Sequence, residues 1–162
     1  MMTQPEHALD HSSLKQAFGR LASGTSVVTL VDETETKMGF TATAVTSVSV
    51  EPALMLVCVN SLSRTVPVFQ AGMPFVINLL TEAQQEIAMQ FASRDGDKFA
   101  NVQYARSASG ALYLKDTLIG IECVPQEIHL AGDHHIVIGR VTALHTEVDA
   151  QPLVFFRSRF MA

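Results

Sequence analysis

The sequence predicts a mainly β protein in which an antiparallel sheet closes into a small barrel, with short helices at its periphery. Six or seven segments rich in apolar and β-branched residues follow one another at hairpin spacing, without the long intervening helices that a parallel sheet needs. Only two or three segments have apolar residues at helical spacing, and each is short. A chain of 162 residues suits one domain with one core.

The first helix is predicted from a capping box near the N-terminus. Ser13 is expected as the N-cap, with Gln16 three residues later. Apolar residues then recur at helical spacing, and Gly24 is expected just after the helix end. These signals together predict an amphipathic helix over 14–23.

The strands are predicted from apolar runs that begin and end at turn-forming residues. A polar stretch at 32–37 is typical of a hairpin loop, and Pro52 separates two strands. The expected strands cover 26–31, 38–45, 54–59, 75–80, 118–130, 135–148 and 152–156.

Two further helices and one long loop complete the predicted fold. Thr65 is expected to cap a short helix over 66–70 that has a proline in its first turn. Thr81 and Gln84 form a second capping box ahead of a helix with apolar residues on one face. Residues 94–116 are mostly polar and predict a long loop, which in a compact domain is often functional.

The composition narrows the classes of function. The formal net charge of −5 argues against a nucleic-acid partner and against an anionic membrane surface. The longest uninterrupted apolar run, 53–59, is far shorter than the ~20 residues of a membrane span. Because 48% of the residues are apolar and only 17% are charged, we expect the surplus apolar surface to be covered in a homodimer.

The N-terminal region and the two cysteines indicate a cytoplasmic protein. The first residues have neither a basic start nor an apolar stretch, so they do not resemble a signal peptide. Residues 1–12 are expected to be a flexible segment, and 13–162 to form a single domain. Cys58 and Cys123 lie in apolar, strand-like runs, which is typical of buried free thiols rather than of a catalytic cysteine.

The most informative segment is 38–50, MGFTATAVTSVSV, which is rich in small and hydroxyl side chains. A strand that only filled a core would favour larger β-branched and aromatic residues on its buried face. Small side chains let a flat ligand approach the backbone, and hydroxyls can hold it. Alone, the segment is equally consistent with a strand packed beneath a helix.

A second polar cluster, 60–65, follows the next strand and precedes a helix. A phosphate is bound by hydroxyls, backbone N–H groups and a cation, and a helix N-terminus favours negative charge. The alternative is an ordinary helix cap with a solvated Arg64. Because the two segments flank a single strand, their co-occurrence favours a site for a planar ligand that carries a phosphate.

Two polar features of the sheet remain open between a structural role and a binding role. Asn78 lies in an apolar strand and needs a hydrogen-bond partner, either a backbone group or a group at the ligand site. His134 and His135 are neighbours at a hairpin, so they point to opposite faces and no metal site is expected. His134 is either a solvated turn residue or faces the ligand. The sequence contains no Rossmann glycine motif, P-loop or nucleophile elbow.

Eight motifs occur in a specific order and spacing: GFTATAVTSVS (39–49), Pro52, LVCVN (56–60), PVFQ (67–70), FVINLL (75–80), Phe91-Ala92, Gly132-Asp133-His134 and FFRSRF (155–160). Together they resemble the short-chain flavin reductases, the reductase components of two-component flavin monooxygenases of the 4-hydroxyphenylacetate 3-monooxygenase reductase type. The resemblance extends over about residues 14–160. The chain differs from the family pattern in that His135 follows the Gly-Asp-His turn, and the role of His135 is left open.

The resemblance implies an antiparallel Greek-key split β-barrel, usually a homodimer, that binds flavin non-covalently. It implies reduction of FMN or FAD by NADH or NADPH, with the reduced flavin passed to a partner oxygenase. By matching position, His134 is the candidate catalytic residue. The cofactor-binding residues that we expect, including Asn78 from the sheet, are Thr41, Thr43, Ala44, Thr46, Asn60, Ser61, Ser63, Arg64, Thr65, Asn78, Phe156 and Arg159.

Two other functions remain open at this point, because a split barrel does not by itself imply a reaction. One is a flavin-binding module without reductase activity, which would act as a sensor or a carrier. The other is an FMN-dependent oxidase of a small molecule. Repeated reduction of excess free flavin with NADH would distinguish a reductase from a flavin-binding module and from an oxidase.

Overall fold

The computed structural model describes residues 9–161 and confirms a mainly β fold with few short helices. The helices are α1 (His11–Phe18), α2 (Val66–Gln70) and α3 (Gln85–Ala92), and a 3-10 turn, Glu82–Gln84, leads into α3. The strands are β1 (Ser23–Gly24), β2 (Ser26–Val31), β3 (Lys37–Ala42), β4 (Val45–Val50), β5 (Ala53–Asn60), β6 (Phe75–Leu79), β7 (Tyr104–Arg106), β8 (Leu112–Leu114), β9 (Ile119–Ala131), β10 (His134–Glu147), β11 (Val154–Phe156) and β12 (Arg159–Met161).

Most of the segment expected to be flexible, 1–12, lies outside the described residues. Within them, α1 already begins at His11. None of the helices between residues 9 and 161 is long and apolar enough to span a membrane.

Seven strands form the barrel sheet in the order β3-β2-β6-β9-β10-β5-β4, and every neighbouring pair is antiparallel. The strands at its two edges, β3 and β4, are consecutive in the chain and are joined by Thr43 and Ala44. The continuous strand expected over 38–45 is therefore wrong, because the chain leaves one edge of the sheet here and joins the other. The split of the barrel lies between these two edges.

Strand β2 serves two hydrophobic cores, since all six of its residues are buried. Val28 and Leu30 belong to the core inside the barrel, together with Phe75. Val27 and Val31 belong to a second core, which is completed by residues of α3 and β8. Successive side chains of a strand point to opposite faces, so one apolar run packs against both layers.

Helix α1 differs most from the prediction. Asp10, not Ser13, is the N-cap, and its carboxylate accepts the Ser13 N–H at 2.7 Å. Aspartate and serine cap helices about equally well, so the earlier of the two residues starts the helix one turn sooner. The helix ends at Phe18 and none of its residues is buried. Phe18 and Leu21, two apolar residues of the predicted amphipathic segment 14–23, are 65% and 70% exposed.

The second capping box is confirmed, whereas the long loop is confirmed only in part. The Thr81 N–H donates to Gln84 Oε1 at 3.1 Å, and the reciprocal bond is also present. Within 94–116, strands β7 and β8 form a hairpin, and Leu112 and Leu114 are buried in the second core. These two leucines anchor a segment that is otherwise polar.

Candidate functional site

A cavity of about 300 Å³ lies at the split of the barrel, and we call it the slot. It is formed by the end of β3 and the crossing to β4, by the adjoining ends of β5 and β10, and by the loop before α2. Its lining includes five of the expected cofactor-binding residues, Thr41, Thr43, Ala44, Asn60 and Ser63, and the candidate catalytic residue His134.

The register of the sheet brings these segments together although they are far apart in the sequence. His134 lies opposite Asn60 in the β5–β10 pair. At the same end of this pair, the Ser61 N–H donates to the Asp133 carbonyl at 3.0 Å. The turn that carries the histidine is therefore fixed against the loop that precedes α2.

Small side chains form the wall of the slot at the crossing. Ala42 is buried, Thr43 is half-buried and Ala44 is exposed. The backbone of this wall is approachable because no side chain larger than threonine stands on these three residues. The shape agrees with the expectation of a flat ligand.

The loop before α2 satisfies several of its own backbone groups. Asn60 Oδ1 accepts the Leu62 N–H at 2.9 Å, and Ser63 Oγ accepts the Thr65 N–H at 3.2 Å. The Ser63 and Thr65 hydroxyls are hydrogen-bonded to each other at 2.8 Å, and the Thr65 side chain does not cap α2. Arg64 is exposed. An anion at this loop would therefore be held mainly by the Arg64 guanidinium and a hydroxyl, and less by the backbone.

His134 lies at the mouth of the slot, with 44% of its side chain exposed. Its Nδ1 is 2.7 Å from Asp133 Oδ1. This hydrogen bond, together with the charge of the imidazolium form, holds the pKa of the Asp133 carboxyl below its ordinary value. The neighbouring His135 instead places its Nδ1 3.1 Å from Ser61 Oγ. Ser61, expected to bind the cofactor, is thus a partner of His135 and does not line the slot.

Three further residues that we expected at the cofactor site also lie outside the slot. Thr46 is exposed in β4, and its hydroxyl donates to the Ser47 carbonyl at 3.3 Å. Phe156 and Arg159 pair with each other in the β11–β12 hairpin, which extends the sheet from β1. This pairing places the C-terminal hairpin in a separate small sheet, and neither residue lines the slot of its own chain.

Asn78 is fully buried and joins three strands of the fold. Its Nδ2 donates to the Val27 carbonyl at 2.9 Å and to Thr29 Oγ1 at 3.0 Å. Its Oδ1 accepts the Leu114 N–H at 2.8 Å. The expectation that Asn78 binds the cofactor is therefore corrected, because β2 and β8 already provide the partners of its amide.

Two side chains fasten the strand that carries the slot wall to α3. The Thr41 hydroxyl donates to the Ala88 carbonyl at 2.5 Å, so it holds the helix although Thr41 lines the slot. Lys98 Nζ donates to the carbonyls of Gly39 at 3.0 Å and of Phe91 at 2.9 Å. A Cβ atom on Gly39 would lie 2.6 Å from a ring carbon of Phe91, so glycine is what lets the helix approach the strand.

Lys98 lies beside the candidate site and was missed by sequence reasoning. It stands 59 residues from Gly39, and the only signal for it was the length of the polar loop that contains it. Burial, and then the positive charge of Arg64, lower the pKa of the Lys98 ammonium from its ordinary value. The carbonyls it contacts are neutral, so they do not compensate its charge.

A second cavity of about 260 Å³ adjoins the slot, and the two share Phe40 and Ser63. We call it the cationic pocket, after the basic residues in its lining: Lys37, Arg64, Arg94 and Lys98. Thr65 also lines this pocket and not the slot. The 60–65 loop therefore faces two connected cavities.

Comparison with known proteins identifies the family. The flavin reductase-like domain matches residues 18–162. The chain is 37% identical over 155 residues to the actinorhodin polyketide dimerase of Streptomyces coelicolor, which covers 96% of this chain and 88% of that protein. It is 31% identical over 153 residues to HsaB, the reductase subunit of a flavin-dependent monooxygenase of Rhodococcus jostii, with 94% of this chain and 78% of that protein covered.

The fold is shared with a solved structure of the same kind. The NADH:FAD oxidoreductase SgcE6 of Streptomyces globisporus, solved with NAD and FAD fragments, superposes with a TM-score of 0.89 at 28% identity. The match covers 100% of this chain and 96% of that one. The chain therefore belongs to the flavin reductase-like domain family and is an oxidoreductase that acts on flavin.

Proposed function

We propose that this flavin reductase oxidises NADH or NADPH, reduces FMN or FAD in the slot, and passes the reduced flavin to a partner oxygenase. The observation that carries the proposal is the slot itself, where a wall of small side chains meets the loop that carries the exposed Arg64 at the split of the barrel. The names of the relatives support the same reaction, since one is a reductase subunit of a flavin-dependent monooxygenase and another is an NADH:riboflavin 5'-phosphate oxidoreductase.

The residues present fit a flavin. Ala42, Thr43 and Ala44 offer a surface that a flat ring can approach, and Ser63 and Arg64 offer a hydroxyl and a cation for its phosphate. Thr65 holds the Ser63 hydroxyl in place through their 2.8 Å hydrogen bond. When bound, the flavin supplies the hydride-accepting chemistry, and the protein contributes binding and orientation.

His134 is proposed to orient the nicotinamide at the mouth of the slot. Its Nδ1 is engaged by Asp133, so Nε2 is the ring nitrogen that remains for a ligand. The Asp133 carboxylate accepts a hydrogen bond from Nδ1, and it therefore favours the tautomer with the proton on Nδ1. A fixed ring orientation serves positioning more directly than proton transfer.

A homodimer is proposed from an apolar surface on the outside of the barrel. On the β5–β10 pair, Leu56 lies opposite Ile138 and Cys58 lies opposite Ile136, and all four side chains are half-buried. In the described residues, the elements that contact β5 and β10 most extensively are other strands. A second copy would remove this surface from water. Sedimentation of a monomer independent of concentration would contradict it.

A cytoplasmic location is proposed from the cysteines. Cys58 and Cys123 are free thiols, and burial raises the pKa of Cys123 to about 12. Such thiols suit a reducing compartment.

Steady-state turnover tests the proposed reaction. Purified protein is mixed with NADH and an excess of free FMN, then of FAD, and the loss of NADH absorbance is followed. Many turnovers per chain are expected with at least one flavin. Bound flavin without NADH oxidation would instead indicate a flavin-binding module, and NADH oxidation only with a small organic substrate would indicate an oxidase.

A further inference from the structure

The cationic pocket carries more positive charge than one phosphate requires. Of its four basic residues, Arg64 belongs to the loop that adjoins the slot. Arg94 and Lys98 line only the cationic pocket and have no contact with the slot. The single carboxylate in the lining, that of Asp97, accepts the Phe99 N–H at 2.9 Å.

The charges of this pocket lack carboxylate partners among residues 9–161. Neither Arg64 nor Arg94 forms an ion pair between residues 9 and 161. Lys37 donates to the Tyr104 hydroxyl and lies over the rings of Phe99 and Tyr104, which leave its positive charge uncompensated. The Lys98 ammonium has three N–H donors, and two neutral carbonyls take two of them.

Lys98 adds a physical reason for an anionic ligand. A partly buried ammonium near a guanidinium is disfavoured in its charged form, in agreement with its lowered pKa. An anion bound beside Lys98 would offset the positive charge of Arg64 at this ammonium. It would also form charge-assisted hydrogen bonds with Lys98 and with Arg94, which lines the same cavity. The carbonyl contacts of Lys98 help to hold α3, but they do not account for four basic side chains around one cavity. An anionic ligand does account for them.

We infer that the cationic pocket binds the second phosphate of FAD through Arg94 and Lys98, so that this chain prefers FAD to FMN. The inference rests on the proposed position of the flavin in the slot. FMN has one phosphate, which Ser63 and Arg64 hold where the two cavities join. FAD has a second phosphate next to the first, and the continuation of the cavity from Ser63 toward Arg94 is where that phosphate lies.

The phosphates of the nicotinamide nucleotide share this chemistry, so the test must separate the two sources. Binding to a flavin is measured directly by fluorescence titration, in the absence of nicotinamide. Binding of the nicotinamide nucleotide is measured through the KM for NADH and for NADPH at saturating FMN. A pocket for FAD changes the first quantity, and a pocket for the nicotinamide nucleotide changes the second.

The variant is Arg94→Gln, because Arg94 is exposed and forms no ion pair in residues 9–161, so its loss leaves the fold intact. Arg20→Gln is the matched control, because it removes the same charge from an exposed residue that lines neither cavity. The wild type and Arg20→Gln should bind FAD about tenfold more tightly than FMN. Arg94→Gln should lose about tenfold in FAD affinity and keep FMN affinity within about twofold.

Each other outcome overturns the inference in a distinct way. Equal loss of FMN and FAD affinity in Arg94→Gln would place Arg94 at the first phosphate, and the proposed position of the flavin in the slot would still hold. A raised KM for NADH or NADPH with unchanged FAD affinity would assign the pocket to the nicotinamide nucleotide. If the wild type binds neither flavin, the proposed function fails together with the inference.

Discussion

Substitution of Ala44 by leucine tests whether the slot holds the flavin. Ala44 lines the slot at the crossing from β3 to β4 and is exposed, so a larger side chain there meets solvent in the free protein. Its carbonyl accepts the Cys58 N–H at 3.0 Å, a backbone bond that leucine retains. We therefore expect Ala44→Leu to fold with a Tm close to that of the wild type.

The cost of the substitution appears only when the ligand is present. Leucine adds three carbon atoms to a cavity of about 300 Å³, on the wall that the ring must approach. Overpacking a well-fitted site costs about 1–3 kcal/mol, which corresponds to a loss of about 5- to 150-fold in flavin affinity. Kd is measured by titration of flavin fluorescence, and folding by thermal denaturation.

Ala53→Leu is the matched control, because Ala53 is an exposed strand residue that lines neither cavity. Its Kd for flavin should equal that of the wild type. Tight flavin binding by Ala44→Leu would refute the position of the flavin in the slot, and loss of affinity in both variants would show that the effect is not local.

Three further substitutions test other parts of the account. Arg64→Ala should weaken FMN and FAD binding alike by about 1–3 kcal/mol through loss of a charge-assisted hydrogen bond, and an unchanged Kd would reject this role. His134→Ala should raise the KM for NADH without changing the Kd for flavin; if kcat and KM both stay at wild-type values, His134 does not face the nicotinamide. Glu122→Gln should reduce the Tm at neutral pH. The difference in Tm between this variant and the wild type should shrink below about pH 4.5, and a difference in Tm that is independent of pH would contradict the reasoning.

The expectation for Glu122 follows from the sign of its pKa shift. Burial raises the pKa of Glu122, but the hydrogen bonds from Ser109 and His145, each 2.6 Å long, together with its other polar contacts lower it by more. The folded pKa therefore lies below the ordinary value of 4.5. The stability contributed by the carboxylate is therefore complete above the unfolded pKa and is lost as the pH falls through the folded pKa.

Local signals in the sequence predict what depends on neighbouring residues. Helix α2 has the predicted bounds because a proline in its first turn and the residues around it determine where it starts and ends. The box formed by Thr81 and Gln84 is equally local. The start of α1 was misplaced because Asp10 and Ser13 are both good caps and only the folded chain selects between them.

The sequence alone does not identify hydrogen-bond partners that are far apart in the chain. A buried Asn78 could be recognised as needing partners, but the Leu114 backbone that satisfies it becomes a neighbour only through the packing of β8. Thr41 and Thr43 follow one another in the same pattern, yet the hydroxyl of Thr41 faces α3. Lys98 reaches Gly39 from a loop with no motif of its own.

The slot was predictable in outline because two unusual segments flank one strand, and a hairpin brings the third to the same end of the barrel. Its extension into the cationic pocket was not, because Arg94 and Lys98 are placed by the path of the long loop. Phe156 and Arg159 were assigned by resemblance alone, and the pairing of β11 with β1 places them in a different sheet.

The most direct test of the central claim is to count the reduced flavin formed per chain without oxygen. Protein, NADH and an excess of FAD are mixed anaerobically, and the bleaching of the flavin absorbance is measured, with Ala44→Leu in parallel. The account predicts many equivalents of reduced flavin per chain for the wild type and a much lower rate for the variant at limiting flavin. Reduction of one equivalent or less by the wild type, with flavin bound, would contradict it.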